Sequence, residues 1–158
     1  MFKLNIRGRS INVFLIFLVW TLLLSCSGSS KIAGGKVIIE MEKTACYGQC
    51  PVYTVKIDES GSGLFIGVEN TKRLGLYSFQ LKPDELSGLI ASFEEIRFFE
   101  LEDRYYDHVT DLPTTYLTYR DDNREKRIMD YYGAPKSLKD LERLIADLVL
   151  SKRMKRVR

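Results

Sequence analysis

The chain predicts an α+β domain: a two-layer sandwich in which a mostly antiparallel sheet carries two helices on one face, in the order ββββαββα. Three observations carry this. Apolar residues alternate with period two over 37–81 and again over 115–131. Helix-period apolar stripes occupy only the stretch after Pro83 and the stretch after Ser137. The links between the strand-like runs are hairpin length, too short for parallel crossovers. Two amphipathic helices can then cover one face of the sheet.

The elements follow in order. Val37, Ile39 and Met41 alternate with Ile38, Glu40 and Glu42. Tyr53, Val55 and Ile57 alternate with Thr54, Lys56 and Asp58 in a second strand. Ser60-Gly61-Ser62-Gly63 is turn chemistry, and Leu64 to Val68 is the return strand. Arg73 to Leu81 makes a fourth strand, with Tyr77, Phe79 and Leu81 on one side. Pro83 suits a first helical turn, and Asp84 and Glu85 favour the positive helix end. Leu86, Leu89, Ile90 and Phe93 form that helix's apolar face. The stretch from about Arg97 to Pro113 shows no period. Thr115–Arg120 and Glu125–Tyr131 pair across Asp121-Asp122-Asn123. The last helix starts at Ser137, with Asp140 placed as in a capping box. Its stripe is Leu138, Leu141, Leu144, Ile145, Leu148 and Val149. The uncovered sheet face, rich in Thr, Lys, Glu and Tyr, is either wet or a docking surface.

The N-terminus carries an address. Lys3, Arg7 and Arg9 precede an apolar run, Ile11 to Leu24, that ends in Leu23-Leu24-Ser25-Cys26. The run fits a signal-peptide core and falls short of the roughly 20 residues that span a bilayer. Leu, a small residue and Cys in that order read as a lipobox, with Cys26 the lipidated first residue after cleavage. Residues 1–25 are then a lipoprotein signal peptide and 26–35 the lipidated Cys and a flexible tether ending in Gly34-Gly35. Residues 36–151 make a single α+β domain and 152–158 a basic tail, expected to be solvated. Ser27 follows the cysteine, and no Asp or acidic run does. By likeness to known sorting rules, the expected location is the bacterial cell envelope, lipid-anchored in the outer membrane and facing the periplasm. The membrane, reached through lipid on Cys26, is the first partner.

Removing the signal also changes the charge. Of 24 Lys+Arg, three leave with it, so 21 face 21 Asp+Glu. The mature chain is formally neutral, which removes the main support for nucleic acid as a partner.

Cys46 and Cys50 remain, an even pair in an oxidising compartment. Gly48 between them gives the freedom a tight loop needs. A structural disulfide is the first reading. Redox chemistry or copper binding is the alternative, because C-x-x-x-C-P also resembles the copper-site motif of thioredoxin-like copper chaperones of the Sco type. There the motif opens a helix and a distant His completes the site; here a strand follows, and His108 is the sole histidine.

Thr44-Ala45-Cys46-Tyr47-Gly48-Gln49-Cys50-Pro51-Val52-Tyr53 resembles the signature C-x-G-x-C-P-x-Y of domain of unknown function 6438. Thr110-Asp111-Leu112-Pro113-Thr114-Thr115 is similar to its second motif, and Tyr132-Gly133-Ala134-Pro135 to its third. The resemblance covers most of 36–149 and implies a small bacterial envelope lipoprotein. It implies no activity.

The functional expectation is a non-catalytic binding or structural module with no cofactor and no metal. Its candidate surface is Tyr47 on the Cys loop with Tyr105, Tyr106, Asp107, His108 and Asp111 on the irregular segment. An envelope protein or peptidoglycan is the expected partner. The competing bland reading has Tyr105 and Tyr106 closing the sheet edge and Asp111 holding a turn. An enzyme reading would pair His108 with Asp107 or Asp111, but no nucleophile elbow, zinc motif or phosphate loop accompanies them.

Overall fold

The computed structural model describes residues 34–157. The expected signal segment 1–25, the expected lipidation site Cys26 and the expected tether as far as residue 33 lie outside the described residues. The described residues form an α+β arrangement of one eight-stranded sheet and two helices. The strands are β1 (Val37–Lys43), β2 (Val52–Asp58), β3 (Ser62–Glu69), β4 (Gly75–Gln80), β5 (Arg104–Tyr105), β6 (Thr115–Arg120), β7 (Glu125–Asp130) and β8 (Lys155–Arg156). Helix α1 is Pro83–Glu95 and helix α2 is Lys136–Leu150. The spatial order is β5-β7-β6-β1-β2-β3-β4-β8. Every pair is antiparallel except β5 with β7.

The chain order is therefore ββββαβββαβ, not ββββαββα. The two added strands have two residues each, too short to produce an alternation. β5 adds to the edge of β7, and β8 comes from the basic segment expected to be solvated. There, Val157 N–H donates to the Leu76 carbonyl at 2.9 Å, and Met154 packs against the core.

The core follows from register. Ile39 and Met41 of β1 face Ile57 and Val55 of β2, and Tyr119 and Leu117 of β6. The same face continues through Phe65 and Phe79 on one side and Ile128 on the other. Leu89 and Phe93 of α1 and Leu138, Leu141, Ile145 and Val149 of α2 join these residues in one buried cluster. Phe93 stacks on Tyr119 with centroids 4.2 Å apart. Gly63 faces Phe79 across β3 and β4, and a Cβ there would lie 2.1 Å from the ring. Glycine in that strand therefore makes room for the phenylalanine.

The β2–β3 turn is held by the buried Asp58. Its Oδ1 accepts from the backbone N–H groups of Ser60 at 2.9 Å and Ser62 at 3.0 Å. The opposite face of the sheet is laced with ion pairs. Glu40 meets Lys56 at 3.1 Å and Arg120 at 3.9 Å, and Arg127 meets Glu42 at 3.0 Å. Thr118 is buried beneath these long side chains.

Helix α1 starts at Pro83 as the sequence predicts, and Glu85 Oε2 accepts from the Lys82 N–H at 2.9 Å. Helix α2 departs from expectation at two places. It begins at Lys136 after Pro135 without a side-chain cap, and Asp140 pairs instead with Lys136 and Arg143. Its buried stripe also differs: Leu144 is 44% exposed, and Glu142 is only 6% exposed. Glu142 lies four residues after Leu138 and three before Ile145, so it shares their face. Leu144 does not.

This assigns different weights to two leucines of one helix. Leu138→Ala is expected to lower unfolding stability by about 2–5 kcal/mol, with a cavity left behind. Leu144→Ala is expected to change it by no more than about 0.5 kcal/mol. Urea unfolding of both variants measures the contrast.

Candidate functional site

Three loops meet at one end of the sheet. The first, 44–51, joins β1 to β2 and contains the disulfide between Cys46 and Cys50, whose Cα atoms are 5.7 Å apart. The second, 106–114, leads into β6. The third follows β7 and holds Tyr131 to Pro135. They converge because Lys43, Tyr53, Thr115 and Asp130 are neighbours across four strands.

The loops are joined by their backbones. Thr44 N–H donates to the Thr114 carbonyl at 3.0 Å, and Thr114 N–H donates to Thr44 Oγ1 at 2.9 Å. Tyr47 N–H donates to the Asp111 carbonyl at 3.3 Å. Tyr131 Oη donates to the Val109 carbonyl at 2.7 Å. From the β3–β4 turn, Asn70 Nδ2 donates to the Cys50 carbonyl at 3.2 Å.

The candidate side chains sort into three groups. Tyr47 stands at the tip of the disulfide loop and is 89% exposed. It is joined to Asp111 only through backbone. Asp111 holds a left-handed φ of 72°, and its Oδ2 accepts from Thr110 Oγ1 at 3.0 Å. It therefore shapes its turn, a role that suits a short carbonyl-bearing side chain. Tyr106 and His108 form an exposed aromatic patch. The Tyr106 ring lies between the Arg104 guanidinium at 4.8 Å and the Tyr131 ring at 5.4 Å, with the His108 ring 5.9 Å away edge-on. Tyr105 turns toward the core in β5, and its Oη accepts from Glu102 N–H at 3.1 Å. It closes the sheet edge.

The enzyme reading pairs the wrong atoms. The Asp107 carboxylate accepts from the His108 backbone N–H at 2.7 Å, and no bond to the imidazole forms among the described residues. Among the described residues no group of three His, Cys, Asp or Glu has metal-binding spacing.

Sequence reasoning missed Arg104 and Tyr131, which fix Tyr106, because neither belongs to a recognisable spacing. It also missed Glu142, whose position on the α2 stripe is legible. Beneath the three loops Glu142 lies near Thr115, Lys43 and Asp130, and its Oε1 has no hydrogen-bond partner among the described residues. Burial pushes its carboxyl up to about 7, and the Asp130 charge adds to the push. Lys43, Lys139 and the Thr115 hydroxyl oppose it. Asp130 itself bonds Lys139 at 3.1 Å.

A family model described as a domain of unknown function (DUF6438) matches residues 37–149, well over half of the chain. The chain belongs to the DUF6438 family. No curated protein matches it. The matched span contains all three loops, so the sheet end where they meet is a feature of this chain's DUF6438 domain. The span stops before β8.

Two measurements follow. The disulfide closes a ring of five residues, for which loop entropy supplies about 2 kcal/mol. The double variant Cys46→Ser, Cys50→Ser should therefore stay folded and lose about that much stability in urea unfolding. For Glu142, the folded carboxyl near 7 lies above its unfolded value near 4.5, so the native state holds a proton that the unfolded state releases. Its contribution is fully present below pH 4.5 and is lost as pH rises through about 7. Glu142→Gln should flatten that fall, by up to about 3 kcal/mol at pH 8. A pH series of unfolding curves for both proteins tests the sign.

Proposed function

We propose that this DUF6438 protein is a lipid-anchored module of the bacterial cell envelope that binds a partner, without catalysis, through the loop end of its sheet. The observation that carries the binding half is the convergence of the three loops, one of which presents Tyr47 to solvent and another Tyr106. A rigid, disulfide-closed loop that presents a tyrosine to solvent loses little conformational entropy when it docks. Tyr106, held between Arg104 and Tyr131, is likewise ordered before any partner arrives. Rigid exposed aromatics are the residues on which interfaces concentrate their energy.

The lipobox ending at Cys26 supports the anchoring half. Two or more acyl chains hold a protein stably on a membrane, and the tether lets the domain reach away from it. The sorting residues after Cys26 favour the outer membrane and its periplasmic side. A formally neutral mature chain with its outer sheet face tied up in ion pairs favours a protein or peptidoglycan partner over nucleic acid. On this reading the two helices cover one face as in a two-layer sandwich, and the loop end is left free.

One set of measurements separates the halves. Palmitate labelling in cells should mark the wild-type chain and spare Cys26→Ser, and density fractionation should place the label with outer membrane. In vivo cross-linking should then capture an envelope component that is lost in the double variant Tyr47→Ala, Tyr106→Ala at unchanged melting temperature. Capture that persists in that variant sinks the docking surface. Thiols that alkylate without a reductant, or copper at one equivalent per chain, would instead favour redox or metal chemistry at Cys46 and Cys50.

A further inference from the structure

A second site lies beside the loop end and goes beyond the docking reading without resting on it. A cleft of about 280 Å³ opens against the core-facing surface of the sheet, next to the β3–β4 turn. Its apolar lining is Tyr53, Phe65 and Leu150, and its polar lining includes Lys43, Lys72 and Arg73. The Tyr53 and Phe65 rings, stacked at 5.2 Å and tilted by 29°, lie at its base with only their edges reaching it, being 3% and 1% exposed. Leu150, at the end of α2, is 43% exposed and forms a lip.

Two features of this cleft are unexplained by folding alone. Lys43, Lys72 and Arg73 have no carboxylate within ion-pair distance among the described residues, whereas ten other basic side chains do. Such a gathering of unpaired cations raises the local concentration of anions. The second is Tyr53, which is 3% exposed as a residue. Its hydroxyl oxygen is not one of the buried side-chain oxygens left without a partner, so that end of the ring meets the cleft and is free to donate there. Burial and the nearby Asp147 and Glu142 charges push its pKa up to about 12, so it remains a donor throughout the physiological range. Lys43 and Tyr53 are direct cross-strand partners on one face, so a single acidic group can meet both.

We propose that this cleft binds a small amphiphilic anion, with a phosphate or carboxylate head held by Lys43, Lys72, Arg73 and the Tyr53 hydroxyl, and a short apolar body lying on Tyr53, Phe65 and Leu150. The volume is at the lower edge of the range of about 300–1,000 Å³ for ligand pockets, so the body is short. The cationic rim and the apolar floor are adjacent, so neither a bare anion nor a neutral alkyl chain satisfies both.

The test uses the full chain in phosphatidylcholine nanodiscs, titrated calorimetrically with hexyl phosphate and corrected with empty discs. One saturable site is expected. Inorganic phosphate and hexanol should each bind at least about tenfold more weakly. The charge reversal Lys72→Glu, Arg73→Glu alters only rim side chains, and Tyr53→Phe keeps the ring, so both should melt near the wild type. Each should weaken hexyl phosphate by about tenfold or more, as loss of charge-assisted bonds does. Absence of a saturable site overturns the proposal. So does hexanol binding as tightly as hexyl phosphate, or affinity unchanged by the charge reversal. An effect of the reversal seen only as lost binding to phosphatidylglycerol vesicles, with no hexyl phosphate site, would also overturn it and make the rim a membrane-contact surface.

Discussion

Strand β1 buries Ile39 and Met41 completely and is hydrogen-bonded along both edges, to β2 and to β6. Both halves of the sheet take their register from it. The meander β2–β3–β4 grows from one edge and the β6–β7 hairpin from the other. A slip of one residue would turn Glu40 and Glu42 into the core and Ile39 and Met41 out. The ion pairs of Glu40 with Lys56 and Arg120 would be lost in the same step. Burial on one face and charge pairing on the other thus select the same alignment, and the three loops at the end of the sheet inherit their positions from it.

Below those loops the domain gives up some stability. Glu142 takes a core position on α2, next to the carboxylate of Asp130, with one oxygen unpartnered among the described residues. A leucine there would continue the stripe of Leu138, Leu141 and Ile145. A buried carboxyl near a second one is a poor choice for stability alone. Its charge state also reaches Tyr53, whose hydroxyl feels it and opens into the cleft. Glu142 and Tyr53 therefore sit within electrostatic reach of each other, under the end of the sheet where the loops converge.

Much of the fold is legible in the sequence. Alternation located six strands, because each has one buried face and at least six residues. The turn residues of Ser60-Gly61 and Asp121 to Asn123 separated them correctly, and Pro83 marked the start of α1. The disulfide is legible from the pair Cys46 and Cys50, four residues apart around Gly48. β5 and β8 were not legible, since two residues carry no period and both are recruited by existing edges. The face of α2 differs from the sequence reading by one exchange: Leu144 looks buried by residue type and is exposed, while Glu142 looks exposed for the same reason and is buried. Spacing outweighs polarity there. At the site, the exposure of Tyr47 followed from its loop, whereas the stack of Arg104, Tyr106 and Tyr131 depends on the parallel addition of β5, a long-range event with no local signal.

The two short strands also govern how the molecule behaves beside copies of itself. β4 and β7 would otherwise be the outer strands of a long sheet, each with a row of backbone groups able to recruit another chain. β8 occupies the first and β5 the second. Lys155 and Arg156 add like charge at one rim, where a second copy would bring the same charges. Four residues in all thus help keep an eight-stranded sheet from extending into its neighbours, and that protection matters most where tethering to a surface confines many copies to two dimensions.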